Sequence, residues 1–284
     1  MSYGAHEAKF YYVPETEFGT IPTAPAMVGI EIVESVMPSI DPSNIKLRGI
    51  GSRDLAAIKL GLRKPDLQVG YVVPSDGALD FLEYIFSLTS FTSEIIYDKS
   101  GVIVDLRYVG CRANKLSVGC SVEDAVKAVM DVMAQDLQTD TAKITDATYT
   151  DKVGAIPFSE SFVWKGAADG TSLVELESIT DWKFNIENNL KRVPVIRNEK
   201  GYLAKYLQER QRVFTGEVTM DFESKDQYDE VINDDEFSLK LGFGAHDALF
   251  TYCKWDNIGS PTKIEDLVSM KLPFTARLAD FETV

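Results

Sequence analysis

Along residues 214–222, Phe214, Val218, Met220 and Phe222 fall on one side of an extended chain, while Thr215, Glu217, Thr219 and Asp221 fall on the other. A period of two suits a strand with one buried face and is incompatible with a helix. Val102, Val104, Leu106 and Tyr108 alternate in the same way with Ile103, Asp105 and Arg107, and Phe237, Leu239, Leu241 and Phe243 repeat the pattern. Asp98-Lys99-Ser100-Gly101 supplies one turn, and the stretch Gly244 to Asp247 supplies another. The spacing therefore predicts β-hairpins over 92–109 and 236–255. A chain dominated by such signals is expected to be mainly β and antiparallel.

Two short helices are predicted among the strands. Asp76 stands ahead of Ala78, Leu79, Leu82, Ile85 and Phe86 at helical spacing, and Ser224 and Gln227 form an S-x-x-Q capping box before Tyr228, Val231 and Ile232. The tracts 36–66 and 138–180 are rich in Gly, Pro, Ser, Thr and Asp without clear periodicity, and read as long loops or arms.

The order of events occurs twice. A strand at Gly29 to Glu34, or Trp182 to Glu187, leads through a long connection to a strand containing Gly70 or Gly216. A short helix, a hairpin, and an apolar-Glu-Asp-x-Val motif follow: Val122-Glu123-Asp124-Ala125-Val126 and Ile264-Glu265-Asp266-Leu267-Val268. Residues 122–137 fit a helical period as well as a strand period. Their counterpart carries Pro273, which a helix interior would not accommodate, so both are predicted as strand. This organisation divides the chain into an N-terminal arm (1–27), a first repeat (28–138), a linker (139–179) and a second repeat (180–284).

Residues that could carry catalysis or metal binding have plainer readings. Cys111, Cys120 and Cys253 form no C-x-x-C pair, and with only His6 and His246 beside them make a poor zinc set. Gly49-Ile50-Gly51-Ser52 lacks the third glycine of a dinucleotide fingerprint. Asp234-Asp235-Glu236 lacks the spaced oxygens of a calcium loop, and the Glu-Asp pairs read as polar turns. No enzymatic activity, cofactor or metal is expected. Tyr11, Tyr12, Trp164, Trp182 and Trp255 could stack on sugars, though strand-core packing explains Trp182 and Trp255 as well. The formal charge is -15, from 44 acidic and 29 basic residues. That balance argues against gripping nucleic acid, which relies on Lys and Arg displacing counterions, but not against letting DNA slide past. No apolar run approaches the ~18 residues of a membrane span. Met1 to Phe10 lacks the regions of a signal peptide, so synthesis and assembly in a cytosol is the default expectation.

Several stretches together resemble the tail tube, or major tail, proteins of tailed phages and archaeal tailed viruses. Glu15-Thr16-Glu17-Phe18-Gly19-Thr20-Ile21-Pro22 resembles the arm before the family's first strand. Thr180 to Leu190 resembles its W-x-h-x-h-x-N-N-h strand, where h is apolar, and Thr215 to Phe222 resembles the strand after it. Met270 to Phe281 is similar to the closing strand. The resemblance implies a small antiparallel β-sandwich or barrel fold, here duplicated, with short flanking helices. It implies a structural virion protein whose subunits join strands around a lumen and whose rings stack into the conduit for genome delivery. If six folds make a ring, a duplicated chain needs three copies with pseudo-sixfold symmetry; a hexamer of single folds is the alternative. Tape-measure, terminator and distal tail proteins are the implied partners, with no membrane partner. Candidate ring-to-ring contacts are Phe10, Tyr11, Tyr12, Phe18, Ile50 and Leu55. A distal tail or baseplate component and a glycan-binding sandwich are the competing readings.

Overall fold

The computed structural model describes residues 3–76, 79–259 and 269–283. A single 3-10 turn at Ala5–Glu7 precedes β1 (Ala8–Pro14), β2 (Ala26–Ile30) and β3 (Val33–Asp41). A hairpin of β4 (Ile45–Arg48) and β5 (Leu55–Lys59) leads to β6 (Lys64–Val72) and helix α1 (Leu79–Ser87). β7 (Phe91–Lys99), β8 (Val102–Ser121), β9 (Lys127–Met133) and β10 (Asp136–Asp140) complete this half, and β11 (Thr148–Lys152) returns parallel to β2.

The second half opens with another 3-10 turn, Phe158–Glu160, before β12 (Ser161–Ala167), β13 (Val174–Glu175) and β14 (Ile179–Glu187). The short β15 (Lys191–Val193) and β16 (Tyr206–Gln208) form a hairpin, followed by β17 (Val213–Asp221) and α2 (Asp226–Asn233). β18 (Phe237–Phe243), β19 (His246–Trp255) and β20 (Ser269–Thr283) close the chain.

Strand pairing follows one rule in both halves. The first runs β2-β1-β7-β8-β9-β6-β3, and the second runs β13-β12-β18-β19-β20-β17-β14, every neighbour antiparallel. The registers also correspond: Arg112 faces Met133 where Lys254 faces Thr275, and Ser117 faces Val129 where Gly259 bridges Lys271. The halves meet where the far end of β8 pairs with β14, from Lys115 opposite Glu187 to Ser121 opposite Asp181. Seven strands, β3-β6-β9-β8-β14-β17-β20, thus form one continuous surface.

β8 can serve two sheets because it bends. Residues 102–111 pair with β7 and β10, and residues 112–121 pair with β9 and β14. Gly110 sits at the turning point with φ +64°, and a Cβ there would lie 2.8 Å from the Gln135 Cβ, so only glycine fits without strain. The Glu15 carboxylate accepts from the Gly110 and Gly19 N–H groups and from the Thr92 hydroxyl, fastening the chain after β1 to this bend.

One face of the seven strands is apolar and covered. Leu67, Val69, Leu116, Val118, Phe184, Ile186, Val218, Leu272 and Phe274 are all buried there, in the alternation the sequence predicts. The asparagines after β14 lock its end: the Asn188 Nδ2 donates to the carbonyls of Ile85 and Ala113, and its Oδ1 accepts from the Arg212 Nε.

Several expectations need correction. The region read as an N-terminal arm contributes β1 and β2 to the sheet, since Phe10 and Tyr12 enter the main core and Tyr11 and Val13 a second cluster with Met27, Ile96 and Ile144. The 139–179 linker contains β11, β12 and β13, and β12 pairs along its whole length with β18. The 36–66 tract holds the end of β3 and the β4–β5 hairpin rather than irregular loop. At residues 102–105 the buried side is the opposite one, with Asp105 inside and Val102 and Val104 exposed. Ser224 Oγ accepts from the Asp226 N–H, but Gln227 turns inward against Met220, so the capping box does not form. Asp76 accepts from the Val153 N–H, residue 78 lies outside the described residues, and so does the motif at 264–268. Pairing registers place Gly216 opposite Phe274 and Gly70 opposite Val129, so these glycines are not equivalent positions. The ambiguous stretch 122–137 is strand: β9 and the start of β10.

Candidate functional site

Assembly surfaces are strand edges, exposed apolar projections and open sheet faces, and each is present. Among the described residues β3 pairs with one strand only, β6, and the Tyr108 hydroxyl donates to its Ser39 carbonyl. Its counterpart β14 is flanked on both sides, by β17 and β8. The consequence is visible in burial. Trp182, Phe184 and Ile186 of β14 are buried, whereas Val36 and Pro38 are half-buried and Ile40 is 44% exposed. An unpaired strand edge is a template for another strand unless something covers it.

Beside this edge lies a cleft of about 690 Å³, lined by Tyr3, Ala8, Phe10, Val33, Val36 and Met37 among others. The matching cleft in the second half, lined by Phe158, Ser161, Val163, Ile179 and Trp182, measures about 150 Å³. Cys120, Ser121 and Val122, at the end of β8, also line the smaller one.

The β4–β5 hairpin is a two-stranded sheet of its own. Ile45, Leu47, Ile50, Leu55 and Ile58 are all exposed on it, Ile50 completely. By the pairing register Ile45 and Leu47 lie on one face of the hairpin and Ile58 on the other, so exposed apolar side chains stand on both faces. The corresponding β15–β16 hairpin instead lies over the first half. Leu203, Ala204 and Leu207 are buried, and Arg192 donates to the Pro65 carbonyl at 2.6 Å and the Asp66 carboxylate at 2.8 Å.

Apart from Asp66, which the Arg192 guanidinium of the β15–β16 hairpin covers, the other face of the seven-stranded surface is open, polar and mixed in sign. Asp131, Asp181, Glu187, Glu217 and Asp221 share it with Lys64, Lys115, Lys127, Lys183 and Lys271. Lys271 and Glu217 stand 3.6 Å apart as a cross-strand pair.

Of the predicted contact residues, Phe10, Tyr11 and Tyr12 are buried within their own chain. Phe18 is half-buried, with the Arg112 guanidinium over its ring. Ile50 and Leu55 stand exposed on the hairpin. Trp182 and Trp255 are core residues, so they offer no sugar platform. Among the described residues no three His, Cys, Asp or Glu side chains converge as a metal site, and no helix is long and apolar enough to cross a membrane.

The description phage tail tube protein matches residues 5–278. The chain belongs to the phage tail tube protein family. It is a structural subunit of a viral tail, and its place is the tail of the virion. Similar solved structures include a native gene transfer agent virion (TM-score 0.33, 7% identity, 42% of this chain and 95% of the other). Others are the tail of an empty gene transfer agent particle (0.34, 9%, 44% and 96%) and an extracellular contractile injection system sheath-tube complex (0.32, 12%, 45% and 92%). No match was found among curated proteins.

One polar cluster in this tail tube protein escaped the sequence reading. Glu94 and Asp105 are both fully buried under the segment 141–149. Glu94 accepts from the Ile144 N–H at 2.9 Å and the Tyr149 hydroxyl at 2.8 Å, while Asp105 pairs with Arg107 at 2.6 Å. Burial, and then the negative Glu94 nearby, push the Asp105 carboxyl up to about 7, against the pull of Arg107. In the unfolded chain Asp105 loses its proton near the ordinary carboxylate value, before the folded protein does. Its stabilising contribution is therefore complete below about pH 4 and lost as pH rises through about 7. Between pH 5 and 8 denaturant unfolding should show stability falling by on the order of 2 kcal/mol from this source. Asp105→Asn should flatten that slope, and an unchanged slope would show that the site does not titrate there.

Proposed function

We propose that this chain is the repeating subunit of the tail tube itself, with three copies closing one ring of pseudo-sixfold symmetry. The observation carrying this reading is that one antiparallel pairing order occurs twice in the chain, with the first half handing its β8 to the β14 of the second. Each half is then one tube-fold repeat, and the seven-stranded surface is an arc of a barrel that closes when the arcs join. The repeats are bounded more widely than the sequence reading drew them, because β1 and β12 hold equivalent places beside β7 and β18.

The uncovered polar face lines the lumen. Its acids and lysines are nearly balanced, although the chain as a whole carries a formal charge of -15. A near-balanced lining neither condenses on phosphate nor strongly repels it, so DNA passes without specific contact. Rings stack through the β4–β5 hairpin, the tube forms in the host cytoplasm, and tape-measure, terminator and distal tail proteins set its length and ends. Negative-stain microscopy of the purified protein tests this. Stacked rings or tubes with three chains per ring are expected, whereas six identical chains per ring, or a persistent monomer with glycan affinity, would overturn it.

A further inference from the structure

Resting on the ring reading above, we infer that the lateral contact between copies is an antiparallel strand junction of defined register, with Ile40 of one copy opposite Ile258 of the next. The chain contains its own template for that contact. Inside one molecule, Lys115, Leu116 and Ser117 of β8 pair with Glu187, Ile186 and Asn185 of β14.

Pairing registers identify the equivalent residues on the outer sides of the two halves. β3 takes the place of β14. Asp181 and Thr219 pair at one end of β14–β17 where Ser35 and Gly70 pair at the same end of β3–β6, and Glu187 and Val213 match Asp41 and Lys64 at the other. Asp41, Ile40 and Ser39 therefore stand where Glu187, Ile186 and Asn185 stand. The chain after β19 takes the place of the far end of β8. Both segments skip a residue at the same point, Asn114 in one and Asp256 in the other, before rejoining the neighbouring strand. Asn257, Ile258 and Gly259 therefore stand where Lys115, Leu116 and Ser117 stand.

The exposed edge has the chemistry such a partner requires. Leu116 and Ile186 are both fully buried by their mutual contact and the core beneath, whereas Ile40 is 44% exposed and Ile258 is half-buried at the margin of the same core. The cleft beside β3, about 690 Å³, is the counterpart of the one narrowed to about 150 Å³ where the end of β8 reaches the second half. A second copy arriving in the same register satisfies the outward N–H and C=O groups of β3 around Ile40, which pair with no other strand among the described residues.

Paired cysteines test the register, because antiparallel partners bring Cβ atoms to about 4.5–5.5 Å, within reach of a short bis-thiol reagent. The native cysteines Cys111, Cys120 and Cys253 are buried and form no competing disulfide. Full-length protein carrying Ile40→Cys and Ile258→Cys, treated after assembly, should give a denaturing-gel ladder ending at a covalently closed ring. Each single variant should give none. Ser39→Cys with Gly259→Cys, at two exposed positions, should give the same ladder without disturbing apolar packing. Leu116→Cys with Ile186→Cys, the internal counterpart, should cross-link within one chain only.

Rings visible by microscopy but no interchain ladder from either pair would overturn the register while leaving the tube reading standing. An equally strong ladder from the shifted pair Ile40→Cys with Asp256→Cys would also overturn it. Failure of unmodified protein to form rings at all would overturn both.

Discussion

Ile50→Asp combined with Ile58→Asp should stop tube growth at single rings while leaving the subunit folded. Both side chains are exposed, Ile50 completely and Ile58 by more than half, and neither belongs to the buried core of its own chain. The folded subunit therefore loses almost nothing: surface substitutions of this kind change stability by about 0.5 kcal/mol or less. On the proposed stacking through the β4–β5 hairpin, the same side chains are buried against the neighbouring ring. Burying an isoleucine side chain contributes about 2 kcal/mol, and a charge without a partner in that contact costs several kcal/mol more.

The loss is repeated for every chain in the ring, so its effect on growth is cooperative. Sedimentation should show the tube fraction replaced by a discrete ring, with an unchanged circular-dichroism melt. Tubes of ordinary length from the double variant would show that another surface carries the stacking.

The comparison of sequence with structure separates by how many faces of a strand are covered. β14 and β17 each have one apolar and one polar face, so alternation predicts them, while Pro273 excludes a helix for β20. β1 lies between two clusters, and its four consecutive residues Phe10, Tyr11, Tyr12 and Val13 are all buried. A strand covered on both sides has no alternation to read, so residues 1–27 read as an arm. β12 escaped for another reason, since its partner β18 lies some seventy residues further along the chain and no local signal announces the pairing.

The order of elements in the two halves was legible because helix, hairpin and final strand recur with similar spacing. The residue-level match was not, because the connecting segments differ in length and few identities anchor it. As for the candidate surfaces, Ile50 and Leu55 could be picked out as apolar residues in a glycine-rich stretch. The open edge of β3 could not be, because whether a strand has one neighbour or two is a property of the whole sheet.

Lys240→Met should destabilise the second half of the fold by about 3 kcal/mol, a loss measurable by denaturant unfolding at neutral pH. The reasoning comes from comparing two equivalent positions. Glu94 stands diagonally from Asp105 across β7 and β8, and Lys240 stands in the same relation to Asp247 across β18 and β19. In the first half a buried acid faces another acid, and a raised Asp105 proton affinity accommodates the conflict. In the second half a lysine 2.6 Å from the buried Asp247 balances its charge directly.

Methionine keeps much of the lysine stem's volume but leaves that carboxylate without its cation. Breaking a buried pair by removing one partner typically costs about 3–5 kcal/mol, because an uncompensated charge remains; the partly exposed Lys240 places the expectation at the lower end. Adding Asp247→Asn removes the stranded charge and should recover most of the loss. Such non-additivity in a double-mutant cycle is the signature of a direct interaction. If instead the two substitutions simply add, Lys240 acts through its position over the Trp164 ring, 4.9 Å from the ring centre, and not through Asp247.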